Sequence, residues 1–279
     1  MTFDGVIDST LENVLTTIQP FLAEHKLLNP STRMENQIDF QLKNELNLAN
    51  NEFNPFTIQG QRINPVYCYS SIPQVDEATK AETTKYTLEI SKTFLVLTLS
   101  IDNEYKSFDF FLKLLVDVII SLKNASSFFK PIRLGLRKIN LFYIDKLQDI
   151  DKYFLPGIFD INKTLTNLSS FSCKASNSTS LLYKSPFHVN FTRDIQSGIK
   201  FDSIEQTEKT VFQLALDIDI FCTEIKQITS FLSSRELLSK TLTDQNTLIF
   251  EIFIKSLTDY FSEQLITPEL SLREIRREA

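Results

Sequence analysis

The stretch Pro-Ile-Arg-Leu-Gly-Leu-Arg-Lys-Ile-Asn-Leu-Phe-Tyr-Ile-Asp, residues 131–145, has the alternation of a β-strand. Successive side chains of a strand point to opposite faces, so its first half places aliphatic residues on one face and two arginines flanking a glycine on the other. From Ile139 onward both faces are apolar, which is typical of a central strand covered on both sides. Gly135, inside the strand, indicates a bulge or the close approach of another backbone.

Arg133 and Arg137 lie on the same predicted face, about 13 Å apart at roughly 3.3 Å per residue. Two guanidinium groups at that distance are able to clamp an anion. The other interpretation is structural, since buried arginines usually pair with carboxylates. Asp217 and Asp219 share a face of a strand predicted over Thr210–Ile220, about 7 Å apart. The two arginines and the two aspartates are therefore predicted to form one cluster that joins two halves of the chain.

The aspartate pair has a second interpretation, as carboxylates that hold Mg²⁺ or share a proton. A Ser-His-Asp or Cys-His catalyst would have to use one of the two histidines, His25 and His188. His188 shares a strand face with Asn190, but no Gly-x-Ser-x-Gly elbow accompanies it. The sequence has no Walker loop, dinucleotide loop, zinc spacing or kinase signature. We therefore predict no cofactor and no metal.

Composition narrows the class of protein. The 279 residues include 24 Phe and no Trp, which indicates a large aromatic core. A net charge of −6 disfavours nucleic-acid binding, which needs a basic field, and suits a basic protein partner. The three cysteines are far apart and indicate reduced thiols. Without a signal-peptide pattern or an uninterrupted apolar span, the expectation is a cytoplasmic protein that does not enter a membrane.

Apolar periodicity predicts an α+β fold, with antiparallel sheet covered by two long apolar helices. The helices are predicted at Ser107–Ala125 and from Thr243 or Asp244 to Pro268. A loop is predicted over residues 48–60 and another over Ser71–Thr84. Strands are predicted at Glu35–Asn47, Gln61–Ser70, the hairpin Tyr86–Ser100, the stretch quoted above, Thr166–Cys173, Thr179–Asn190, Gly198–Phe201 and Thr210–Ile220.

Three segments follow from this order. Residues 1–30 form an amino-terminal helical segment that is kinked or divided into two helices at Pro20 and ends at Pro30. Residues 31–145 form a first α+β half, and residues 146–279 a second half of similar topology, all in one compact domain. The apolar face of the first helix is expected to pack on the core or on a second copy, which would make a homodimer.

The strand motif resembles that of a sporadically distributed, functionally uncharacterised family of bacterial and archaeal proteins. The family pattern is Arg-x-Gly-Leu-Arg-Tyr-Ile-Asn, and residues 133–140 match it except that Lys138 replaces the tyrosine. Weaker family motifs follow in the same order over residues 85–268. They resemble residues 105–108, 149–153, 216–219 and 261–267. A patchy distribution of this kind is common among genes of defence, immunity and toxin–antitoxin systems.

Taken together, these observations favour a non-catalytic protein-binding component of a bacterial conflict system. It would be immunity- or antitoxin-like and would occlude a protein partner with an acidic surface. The alternative is a phage-defence effector or enzyme that acts on a nucleotide or a metal-dependent substrate through His188, the arginine pair or the aspartate pair. A third interpretation is a sensor of a small ligand bound between sheet and helix.

Overall fold

A computed structural model describes the chain over residues 1–42, 56–75, 82–100, 107–159, 173–202 and 207–266. The chain divides into two compact units, which are described separately below. The first unit comprises Met1–Arg133 and Glu224–Ser239, and the second Leu134–Thr223 and Lys240–Ala279. The three segments proposed from the sequence stay predictions.

The fold is α+β with antiparallel sheets, as predicted. The strands are β1 (Thr2–Asp4), β2 (Asn29–Leu42), β3 (Phe56–Ser70), β4 (Gln74–Val75), β5 (Glu82–Thr83), β6 (Tyr86–Ile90), β7 (Leu95–Leu99), β8 (Lys130–Ile144), β9 (Ala175–Lys184), β10 (Phe187–Asp202) and β11 (Thr207–Cys222). The helices are α1 (Asp8–Glu24), α2 (Phe108–Ala125), α3 (Ile150–Tyr153, after a 3-10 turn at Leu147–Asp149), α4 (Ile225–Phe231), α5 (Arg235–Lys255) and α6 (Asp259–Ile266).

In the first unit, four strands form a sheet in the order β2-β3-β6-β7, and β4 pairs with β5. The predicted hairpin is confirmed as β6 and β7. The predicted helix is confirmed as α2, whose first turn is capped by Ser107: its Oγ accepts a hydrogen bond from the backbone N–H of Phe110 at 3.2 Å. The ring of Phe111 lies 4.7 Å from that of Tyr86, which places α2 against the sheet.

Helix α1 packs against α2 through its apolar face, on which Leu11, Val14, Leu15, Ile18 and Leu22 are buried. The alternative of a second short helix after Pro20 is wrong, because α1 continues through Pro20 to Glu24, and the kink stays a prediction. Buried side chains on both sides of the proline hold the two parts of the helix on one surface. Pro30 does not end this helix but lies in β2. A homodimer through α1 stays a prediction, although this apolar face is already covered within the unit.

An ion pair on α2, between Asp117 and Arg235, was not anticipated from the sequence. The side chain of Asp117 is 7% exposed and pairs with the guanidinium of Arg235, at the start of α5. The Nζ of Lys123 donates a hydrogen bond to the backbone carbonyl of Leu232 at 2.7 Å. These two contacts attach the segment Glu224–Ser239 to α2 within the first unit.

In the second unit, four antiparallel strands lie in the order β8-β11-β10-β9. One face of this sheet is covered, and β11 contributes Leu214, Leu216, Ile218 and Ile220 to it, all fully buried. The ring of Phe142 on β8 lies 5.1 Å from Phe154, 6.2 Å from Phe253 on α5 and 5.7 Å from Phe261 on α6. The long helix predicted for this half thus covers its sheet.

Three predicted elements were wrong in their bounds. The strand predicted at Thr179–Asn190 is two strands, β9 and β10, separated by a turn at Ser185-Pro186. The strand predicted at Gly198–Phe201 is the end of β10. The last long helix begins at Arg235 rather than at Thr243 or Asp244, because Leu238 and Leu242 are buried and continue its apolar stripe.

Three predictions in loop or strand regions are also corrected. Strand β3 begins at Phe56, inside the loop predicted over residues 48–60, and residues 48–55 lie outside the described residues. Strands β4 and β5 form a short pair inside the loop predicted over residues 71–84. Strand β2 begins at Asn29 rather than Glu35. The strand predicted at Thr166–Cys173 lies outside the described residues except for Cys173 itself.

Candidate functional site: the open face of the second sheet

The predicted site residues of the second unit lie on one face of its sheet, which we call the open face. Directly paired residues of an antiparallel sheet project to the same side, so the strand registers define this face. In the order β8-β11-β10-β9, its rows are Gly135–Phe221–His188–Tyr183, Arg137–Asp219–Asn190–Leu181, Ile139–Asp217–Thr192–Thr179, Leu141–Ala215–Asp194–Asn177 and Tyr143–Gln213–Gln196–Ala175.

Three large apolar side chains of β8 are exposed on the open face: Ile139 by 55%, Leu141 by 50% and Tyr143 by 65%. The sequence predicted that both faces of this strand would be covered, and that is wrong. Alternate positions, such as Leu134 and Ile144, are buried. From Ile139 onward the apolar character of the two faces of β8 is similar, and among the described residues helices pack against one of them.

Arg137 and Asp217 form the predicted ion pair. Nε of Arg137 donates to Oδ1 of Asp217 at 2.8 Å and Nη2 donates to Oδ2 at 2.5 Å, which is the bidentate geometry of a guanidinium–carboxylate pair. The hydrogen bond to Asp217 raises the pKa of Arg137 above its ordinary value. The side chain of Arg137 is 58% exposed, and that of Asp217 is 18% exposed. Both residues belong to the second unit, so the pair links β8 to β11 within one sheet.

The other two members of the predicted cluster are placed differently. Arg133 belongs to the first unit, where it pairs in register with Thr2 of β1. Asp219 lies opposite Arg137 and Asn190 in the sheet. Among the described residues, no group of three or more His, Cys, Asp or Glu is arranged to hold a metal ion. Asp217 and Asp219 therefore lie on the open face as a pair, and one of them is already bound to a guanidinium.

The two histidines occupy different environments. His188 lies on the open face between two aromatic rings, with its centroid 5.1 Å from Tyr183 and 5.4 Å from Phe221. His25 is 2% exposed in the first unit, and its ring nitrogens lie 2.8 Å from the carbonyl oxygens of Phe21 and Phe110. His25 thereby joins the end of α1 to the start of α2, which is a structural role. His188 forms part of an aromatic row that crosses three strands.

Gly135 lies at the end of this aromatic row. A Cβ atom at this position would lie 2.6 Å from the carbonyl oxygen of Ile220 and 2.6 Å from the Cβ of Phe221. The predicted close approach of another backbone is thus confirmed. The register between β8 and β11 is continuous here, so the alternative of a bulge does not apply. The glycine lets the two strands meet at the point where the arginine motif begins.

Sequence reasoning missed the exposed end of β9. Leu181 is 67% exposed, Leu182 53% and Tyr183 64%, so apolar groups protrude on both sides of this strand. These residues had been assigned to a single strand that continued to Asn190. The signal that could have corrected this is the Ser185-Pro186 dipeptide, because a proline inside an alternating run indicates a turn or an edge strand.

No helix in the described part of the chain is long and apolar enough to cross a membrane. The chain matches no known protein-family model, no curated protein and no solved structure.

Proposed function

We propose that this chain is a non-catalytic protein-binding component that acts by covering a surface of its partner with the open face. The main support is the apolar row along β8, formed by Ile139, Leu141 and Tyr143. Each of these side chains is at least half exposed. Exposed apolar patches bordered by polar groups are typical of protein interaction sites. The resemblance to a sporadically distributed family favours an immunity- or antitoxin-like role in a bacterial conflict system.

Charge in the four-stranded rows of the open face supports a basic partner. These rows contain one arginine, Arg137, and three aspartates, Asp194, Asp217 and Asp219, whereas the pair Lys200 and Lys209 continues the same side beyond them on β10 and β11. The whole chain carries a net charge of −6. Complementary charge accelerates encounter and excludes like-charged competitors, whereas the apolar row supplies the buried contact. Tyrosine, as at Tyr143, is a residue type enriched at the centres of such interfaces.

The ion pair gives this surface a fixed shape. Because Arg137 is held in a bidentate contact with Asp217, its guanidinium plane is oriented before any partner arrives. Less side-chain entropy is then lost on binding than for a freely rotating arginine. The pair thus borders the apolar row as a preorganised polar rim.

Site-specific photo-crosslinking in the native host tests the proposal. A photo-reactive phenylalanine analogue at Leu141 is expected to capture one predominant protein. The same group at Phe250, which is 56% exposed on α5, is the control for non-specific capture by an exposed apolar residue. The captured protein is then purified and its affinity measured for the unmodified chain, Leu141→Lys and Phe250→Lys.

The proposal requires that Leu141→Lys weakens this affinity at least about tenfold, because a buried ammonium replaces an apolar contact. Phe250→Lys must leave the affinity unchanged. The same adducts from both positions, or equal affinity of all three proteins for the captured protein, would contradict a binding role of the open face. Circular dichroism of each variant confirms that the second unit is folded.

A further inference from the structure

The outer edge of β9 has a defined set of backbone hydrogen-bonding groups. The N–H of Ser197 donates to the carbonyl of Lys174 at 2.8 Å, so the even-numbered residues of this strand direct their backbone groups towards β10. The odd-numbered residues consequently direct theirs outward. Asn177, Thr179, Leu181 and Tyr183 thus present an alternating row of donors and acceptors. In the described part of the chain, no strand pairs with this edge.

This edge lacks the features that normally prevent strand-to-strand association. Natural edge strands are protected by charged residues, prolines, bulges or very short length. From Ala175 to Tyr183, β9 contains no charged residue and no proline, and its register with β10 has no shift. Its end is apolar on both sides, through Leu181 and Tyr183 on one side and Leu182 on the other.

We propose that the outer edge of β9 pairs antiparallel with β9 of a second copy of this chain, so that the two second-unit sheets become one continuous sheet. An antiparallel strand edge is self-complementary, because a two-fold axis places each donor opposite an acceptor of the copy. The chain has a net charge of −6, so two copies repel each other in general. The carboxylates of this sheet lie on the inner strands β10 and β11, and the uncharged edge of β9 therefore favours a second copy as its partner. Like-charge repulsion between copies is therefore smallest at this edge.

Charge also selects the register. A two-fold axis at Thr179 would place Lys174 opposite Lys184 of the second copy, and two like charges directly opposite each other are unfavourable. An axis at Leu181 instead pairs Leu181 with Leu181, Thr179 with Tyr183 and Lys184 with Ser178 of the second copy. This register buries the apolar end of both strands, so it is the one assigned here.

Sedimentation equilibrium of the full chain over a range of concentrations tests the dimer. The unmodified protein is expected to form a dimer. Thr179→Pro removes one outward N–H and leaves the bonds to β10 in place, so it should raise the dimer dissociation constant at least about tenfold. Leu181→Lys places two ammonium groups at the axis and should do the same. Leu141→Lys, on the same face but on β8, is the matched control and should have no effect.

Cross-linking tests the register independently of affinity. In a Cys173→Ser background, Leu181→Cys is expected to form an intermolecular disulfide under mild oxidation, because directly opposite residues that exchange hydrogen bonds lie about 5.5 Å apart between Cα atoms. Ser180→Cys, one residue away and facing the other side of the sheet, would lie opposite Leu182 of the copy and should form much less.

A monomer at all concentrations, or a dimer that Thr179→Pro and Leu181→Lys leave unchanged, overturns the inference. A dimer that is lost in these variants but gives equal disulfide yields at positions 180 and 181 overturns the assigned register. The inference does not depend on the proposed function: partner binding is tested at Leu141 and self-association at β9, so either one is able to fail alone.

Discussion

The two faces of the second unit's sheet differ in burial, and on β8 from Ile139 onward they do so although both faces carry large apolar side chains. On the covered face, β11 contributes four aliphatic residues that are fully buried, whereas on the open face Ile139, Leu141 and Tyr143 of β8 are at least half exposed. Strand β8 therefore carries apolar side chains on both faces, and only those of the covered face contribute to the core of the unit through the hydrophobic effect.

The largest expected difference between the faces is in how much the free energy of unfolding falls when an apolar side chain is truncated. Leu216→Ala leaves a cavity at a fully buried position of the covered face and should lower the free energy of unfolding by about 2–5 kcal/mol. Ile139→Ala, on the open face, should change it by less than about 0.5 kcal/mol. Equilibrium urea unfolding followed by circular dichroism measures both. Similar costs for the two substitutions would show that the open face is covered in solution.

Substitution of Gly135 tests how closely β8 and β11 approach each other at the aromatic row. Gly135→Ala puts a Cβ 2.6 Å from the Ile220 carbonyl oxygen and should destabilise by about 1–3 kcal/mol through overpacking. Gly198→Ala is the control, because no atom lies within 4 Å of its new Cβ. Thermal unfolding of the two variants should separate them clearly. If they melt alike, the strands have room to move apart at Gly135.

Lys138 is a cation on the covered face, and burial lowers its pKa below the ordinary value of 10.5. Its charged form is therefore disfavoured in the folded state and costs stability at neutral pH. Lys138→Met should raise the free energy of unfolding by on the order of 1 kcal/mol. The gain should shrink as the pH rises from the lowered pKa of Lys138 in the folded state to the unfolded-state pKa of lysine, above which Lys138 is neutral in both states.

Urea unfolding at neutral and at high pH measures the effect of Lys138→Met. The exposed Lys146 provides the control substitution, Lys146→Met, which should change little at either pH. A Lys138→Met variant that is less stable than the unmodified protein would mean that the ammonium has a favourable contact within the sheet.

The smallest expected effect concerns the ion pair of the open face. Asp217→Asn removes the carboxylate from Arg137, whose side chain is 58% exposed and largely solvated. The loss of stability should be at most about 1 kcal/mol. It should decrease as salt is added, because salt screens exposed charges. A loss of several kcal/mol that does not respond to salt would place this pair among the interactions that hold the unit together.

Several local features were predictable from sequence because they depend on neighbouring residues. The β6–β7 hairpin follows from alternation on both sides of a polar turn, and α2 follows from its apolar spacing and the cap at Ser107. Charge and strand parity also predicted a cluster of Arg133 and Arg137 with Asp217 and Asp219, and the structure shows the pair Arg137–Asp217, although these residues are far apart in sequence. The missed pair, Asp117 with Arg235, joins residues far apart in sequence, and no local pattern signals it.

The sequence by itself determined that this is an α+β protein, that residues 131–145 form a strand in which Gly135 marks either a bulge or a close backbone contact, and that α2 is a buried helix. These properties depend on side-chain period, steric size and capping, which act over a few residues. The tertiary structure alone decided which face of that strand remains open, and that β9 ends as an unpaired apolar edge in the described part of the chain. Alternation in the sequence indicates only that the strand has two faces. Which face is buried depends on where α5 and α6 pack, and their packing depends on contacts between residues distant in sequence.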